Sequence, residues 1–162
     1  MKNKWVRIAI IIGVCLFCIT LDQVSKLIAI NNLVENESVT VINDFFYWTL
    51  CYNKGGAWSI FSNATWALVL VSIIALGLVI FTIVKSKNKM YDIAASVFIG
   101  GLVGNLIDRL FNSKVTDFID FVIFGYDFPV FNIADICICI SAVFIMISIL
   151  KEEKKDGKEI SE

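Results

Sequence analysis

The stretch FNIADICICISAVFIMISIL, residues 131–150, decides how the chain is read. From Ile133 to Leu150 its one charged residue is Asp135, set at the mouth of an apolar run long enough to form a membrane helix. A carboxylate at a bilayer edge is costly and marks a functional-site candidate. Just upstream, VTDFIDF at residues 115–121 adds Asp117 and Asp120 in a short polar-aromatic connection. Spacing alone does not decide which of these two accompanies Asp135.

Composition supports a membrane reading. The chain has 162 residues, of which 58% are hydrophobic, with a mean hydropathy of +0.80. So small a globule has no interior for that much apolar surface, so one integral membrane domain spanning 1–162 is expected. The net charge of -1 offers no basic field for nucleic acid. Histidine is absent, which removes Ser-His-Asp, Cys-His and H-E-x-x-H chemistry. Acid–base work then falls to carboxylates, Lys, Tyr or water. Cys15, Cys18, Cys51, Cys137 and Cys139 lack metal-ligand spacing and are read as free, inert thiols; no metal or other cofactor is expected.

Working outward, the N-terminal residues carry Lys2, Lys4 and Arg7 ahead of an apolar run, in the manner of a targeting segment. No small-residue cleavage site ends that run, and it continues into Asp22, Gln23 and Lys26. A retained helix over about 5–30 is expected. Residues 31–63 differ in kind: β-branched and aromatic residues, with a turn signal at Asn53-Lys54-Gly55-Gly56. A small β cradle over about 38–61 is expected outside the hydrocarbon, with Ala57–Phe61 as the return strand and Trp48 and Trp58 at headgroup depth. Helices follow over about 65–84, 90–111 and 133–150, with a charged, disordered tail over 151–162. The fold class is thus a four-helix membrane bundle with a small extracytoplasmic sheet between helices one and two.

The N-terminus, the 85–89 loop and the segment after Leu150 are rich in Lys or Arg, whereas connections 31–64 and 112–132 hold few. Four spans put every Lys/Arg-rich region on the cytoplasmic side, with both termini there. Asp22, Lys26, Asn53, Asn105, Asp108, Arg109, Asp117 and Asp135 then meet in one layer near the outer face, where all the intramembrane polar residues are expected. Ordinary structural roles are available for some. Asp22 and Lys26 are an i, i+4 pair; Gly100 and Gly104 form a G-x-x-x-G packing motif; Asp108 and Arg109 are candidates for an ion pair; Asn132 is a candidate helix cap. Two close carboxylates in a low dielectric do not both ionise, so a pair including Asp117 and Asp135 would share a proton, one acting as acid and one as base.

These residues carry a resemblance. D-Q-x-x-K at 22–26, N-x-G-x-A at 53–57, G-N-x-x-D-R at 104–109, V-x-D-F around Asp117 and F-N-x-A-D at 131–135 together resemble the bacterial lipoprotein signal peptidase (signal peptidase II) family over nearly the whole chain. The resemblance implies an aspartyl endopeptidase of the cell membrane with Asp117 and Asp135, not Asp120, as the catalytic pair. Asp22, Lys26, Asn53, Gly55, Gly104, Asn105, Asp108, Arg109, Asn132 and Ala134 would line or brace the site. The implied partners are lipid-modified prolipoprotein signal peptides and membrane lipid, and a monomer is expected. Trp58, where Phe is more usual, and Lys54 in the turn depart from the pattern. The alternative class is a small ion or proton transporter, which predicts polar residues through the bilayer depth and a repeat between halves. A presenilin-type protease would need a G-x-G-D motif, which is absent.

Overall fold

The computed structural model describes residues 3–55 and 65–159. Helix α1 (Lys4–Asn32) leads into strands β1 (Ser38–Ile42) and β2 (Phe46–Asn53). Helices α2 (Thr65–Lys85) and α3 (Lys89–Asn112) follow, then β3 (Val115–Ile123), β4 (Tyr126–Asp127) and α4 (Ile133–Glu159). All four helices are long and apolar enough to cross a membrane. Their outer faces are apolar and bare, as at Phe17, Trp66, Leu78 and Val84, which suits a bundle solvated by lipid.

Helix α3 is the hub and packs against α1, α2 and α4. Its glycines permit this. A Cβ on Gly104 would fall 2.5 Å from an Asp22 carboxylate oxygen, and one on Gly101 would fall 2.6 Å from the Ala134 carbonyl oxygen. Small residues at these positions let three helices converge at one end of the bundle.

The sheet lies at that same end, and it is larger than the sequence suggests. Its antiparallel order is β1-β2-β3-β4, so the second connection supplies half its strands. Residues 112–132 read as an irregular connection because Val115–Ile119 are all buried, which removes the polar alternation of a half-exposed strand. The expected return strand at Ala57–Phe61 and the Trp58 anchor lie outside the described residues. An aromatic cluster of Phe46, Phe121 and Phe131 packs with Ala29, Phe118 and Ile119 to seat the sheet on the bundle.

Two expectations are corrected. Helix α4 runs to Glu159, where a disordered tail over 151–162 was expected, of which 160–162 lie outside the described residues: Lys and Glu are strong helix formers and prolong the turn pattern past the apolar run. The polar residues are also not confined to the sheet end. At the far end Arg7 binds Asp92 through two bonds of 2.6 and 2.7 Å and donates to the Ile83 carbonyl at 2.6 Å, tying three helices together.

Candidate active site

The first turn of α4 fixes Asp135. Asn132 caps the helix: its side-chain oxygen accepts from the Asp135 backbone N–H at 3.0 Å, and Asp135 Oδ2 accepts from the Asn132 backbone N–H at 3.2 Å. This reciprocal cap leaves the carboxylate little rotational freedom. The other oxygen, Oδ1, accepts from Asn105 Nδ2 of α3 at 2.8 Å.

Strand β3 brings Asp117 to the same place. A bridge between Ile119 and Phe131 lays the α4 entry beside the strand, so Asn132 follows next to Asp117. Asn132 Nδ2 donates to Asp117 Oδ1 at 2.6 Å, and Asn53 Nδ2 donates to Oδ2 at 3.1 Å. Asn53 reaches it because of a bulge. Trp48 pairs with Ile119 but Cys51 pairs with Asp117, so β2 carries one extra residue between them. With that residue Asn53 opposes Val115, on the Asp117 face; without it Asn53 would point to the other face. Gly55 completes the arrangement, its N–H donating to Asn53 Oδ1 at 2.9 Å.

Beneath the two carboxylates lies a buried ionic cluster. Lys26 Nζ stands 2.8 Å from Asp22 Oδ2, 3.2 Å from Asp108 Oδ2 and 3.0 Å from Asn105 Oδ1. Asp22 Oδ1 accepts the Ala134 N–H at 2.9 Å, and Asp108 Oδ2 accepts the Thr116 N–H at 3.0 Å. One lysine thereby links α1 to α3, to the start of α4 and to β3. Gln23 Nε2 adds bonds to Asp22 Oδ2, the Gly104 carbonyl and Asp108 Oδ1 at 3.1–3.2 Å. A buried charge is tolerable when paired and hydrogen-bonded in this way.

Asp117 and Asp135 both line a cavity of about 580 Å³. Its walls include Leu68, Val71 and Ser72 of α2 and Ile136, Cys139 and Ile140 of α4, with Leu102, Asn105 and Arg109 of α3 behind them. Val71 and Ile140 are exposed as well as lining, so the cavity opens sideways between α2 and α4. Burial, and next the charge of Asp135, push the Asp117 carboxyl up to about 7, against the hydrogen bonds of Asn53 and Asn132 and the charge of Lys26. Near neutrality such a group gives or takes a proton readily.

All twelve residues singled out from the sequence fall in this region, though not all touch the cavity. Asn53, Asn105, Arg109, Asp117 and Asp135 line it; Asn132 bonds both carboxyl groups; Asp22, Lys26, Asp108, Gly55, Gly104 and Ala134 support them from behind. The candidate Asp108–Arg109 ion pair is not formed. Adjacent helical positions diverge, so Asp108 faces Lys26 while Arg109 faces the cavity and reaches only the Asn105 carbonyl at 3.5 Å. Asp120 accepts from Thr49 Oγ1 at 2.6 Å, beside Ser38, away from the cavity. Sequence reasoning passed over Ser72 in an otherwise apolar stretch, and gave Gln23 only as part of a motif.

A family model described as signal peptidase (SPase) II, peptidase A8, matches residues 14–151. The fold is similar to a solved bacterial membrane enzyme determined by the in meso method at 2.3 Å, with 36% identity, a TM-score of 0.82 and 90% of each chain covered. A second such structure, at 1.9 Å, has 37% identity and a TM-score of 0.79, covering 87% of this chain and 92% of that one.

Proposed function

The chain belongs to the signal peptidase II family, aspartic-type peptidases of lipoprotein signal peptides, and on that premise we propose that it cuts diacylglyceryl-modified prolipoproteins just before the lipidated cysteine. The observation that carries the reading is the pair Asp117 and Asp135, bonded to the same asparagine in a cavity that opens toward lipid. The site faces the outer side of the membrane, with both termini in the cytoplasm.

The signal helix enters between α2 and α4 and ends near the pair, where the chain is extended. Asp117 carries the shared proton and hydrogen-bonds the scissile carbonyl oxygen. Asp135, as carboxylate, takes a proton from a water lying between the two. The resulting hydroxide attacks the carbonyl carbon, and the oxygen takes the proton of Asp117. The tetrahedral intermediate collapses when this hydroxyl returns its proton to Asp117 and the C–N bond breaks. Asp135 passes its proton to the departing cysteine nitrogen. Arg109, without a carboxylate partner among the described residues, supplies a donor for carbonyls of the bound chain. The bonds to Asn53, Asn105 and Asn132 hold the pair in place before substrate arrives.

Lipid modification comes first because a lipid anchor fixes the scissile bond at headgroup depth, replacing affinity for sequence by position. The test compares one precursor peptide with and without the diacylglyceryl group, cleaved by purified protein and read by mass spectrometry. A product beginning at the lipidated cysteine, formed roughly 10²-fold faster than from the unmodified form, is expected. Equal rates, or scission elsewhere, would refute the reading.

A further inference from the structure

We propose that Ser72 is a substrate-positioning residue, whose hydroxyl donates to a backbone carbonyl in the last turn of the bound signal helix. The assignment rests on the peptidase function proposed above and adds a contact to it. Ser72 is 8% exposed and lines the cavity of the two aspartates. Among the described residues it has no hydrogen-bond partner, and its oxygen is not sealed off from the cavity.

Of the helix hydroxyls among the described residues, exposed Thr20 shares that state, but Ser72 is buried. A hydroxyl inside an apolar helix normally bonds to a carbonyl one turn back. Ser96 does so to Asp92 at 2.6 Å, Thr82 to Leu78 at 3.1 Å and Ser141 to Cys137 at 2.5 Å. The remaining hydroxyl of α2, on Thr65, bonds the Lys54 and Ser113 carbonyls at 3.2 Å. Ser72 alone among the hydroxyls of α2 is left free, and it faces space where a substrate would lie.

The substrate has the matching need. Attack requires an extended scissile segment, so the signal helix must end before it. A helix end leaves up to about four carbonyls without partners, and in hydrocarbon each is costly. Ser72 lies seven residues into α2 from Thr65, about 10 Å along the axis. Asp135 stands in the first turn of α4, at the sheet end. Three extended residues span about 10 Å, so a chain cut at the pair places its last helical turn beside Ser72.

The test is Ser72→Ala against Ser72→Thr, assayed with a synthetic diacylglyceryl precursor. Ser72→Ala should raise KM roughly 3- to 10-fold while leaving kcat and the unfolding temperature unchanged, and Ser72→Thr should restore KM. Precursors with one backbone amide replaced by an ester weaken a chosen carbonyl as acceptor. The Ser72→Ala penalty should vanish for one ester position three to five residues before the cut. An unchanged KM, or one penalty across the whole ester series, would overturn the assignment. So would a penalty that vanishes only when the lipid's own ester linkages are replaced by ethers, since the acceptor would then be the lipid. Precursor affinity measured in the Asp117→Asn background reads Ser72 without the chemistry. Precursor bound through Ser72 but never cut would sink the peptidase function alone; cleavage with an unchanged Ser72→Ala KM would sink this assignment alone.

Discussion

Asp117 has two neutral amide donors and, among the described residues, no cation within ion-pair distance. Its carboxyl stays protonated up to about 7, and burial is the largest cause. In the proposed mechanism the active form holds that proton, so activity should fall as pH rises through about 7 and the proton is lost. Asn132 stabilises the ionised form of Asp117. Asn132→Ala should therefore lower kcat and also move the alkaline limb to higher pH; a lower kcat with an unmoved limb would contradict this account of Asp117. By spacing alone Asp117 was legible as one of two candidates, and only the family resemblance chose between them. Asp117 and Asp120 are three residues apart, so on a strand they take opposite faces, but which face meets the cavity depends on pairing with β2.

Helices and strands were unequally legible. The spans announce themselves through apolar runs, and their ends through Asp22, Lys26, Asn105 and Asp108, so the first three helices were located closely, whereas α4 continues past its apolar run to Glu159. Strand β3 gives no such signal, because burial of both faces erased its alternation. The β2 bulge that turns Asn53 toward Asp117 is a property of two paired strands and is invisible in either alone. What holds these elements together is also testable. Lys26→Met would leave Asp22 and Asp108 buried without their cation and should cost about 3–5 kcal/mol, read as a lower unfolding temperature in lipid nanodiscs. Gly104→Ala would push a methyl group against Asp22 and should cost about 1–3 kcal/mol. Unchanged stability in either variant would mean that the cluster does not clamp α1 to α3.

For the molecule as a whole, four spans carry the sheet and both aspartates at one end and the Arg7–Asp92 pair at the other. In the orientation proposed above, both termini and the 85–89 loop lie in the cytoplasm. A reporter active only in the cytoplasm should work when fused to either terminus and fail when inserted at Phe124-Gly125 in the β3–β4 turn. The chain belongs to a peptidase family, and the two carboxyl groups proposed to do its chemistry line one cavity. The most direct measurement is turnover of the lipidated precursor by Asp117→Asn, Asp135→Asn and Asp120→Asn. The first two should show no cleavage above background while remaining folded, and the third should stay within about twofold of the parent. Full turnover in Asp117→Asn or Asp135→Asn, or loss confined to Asp120→Asn, would contradict the account.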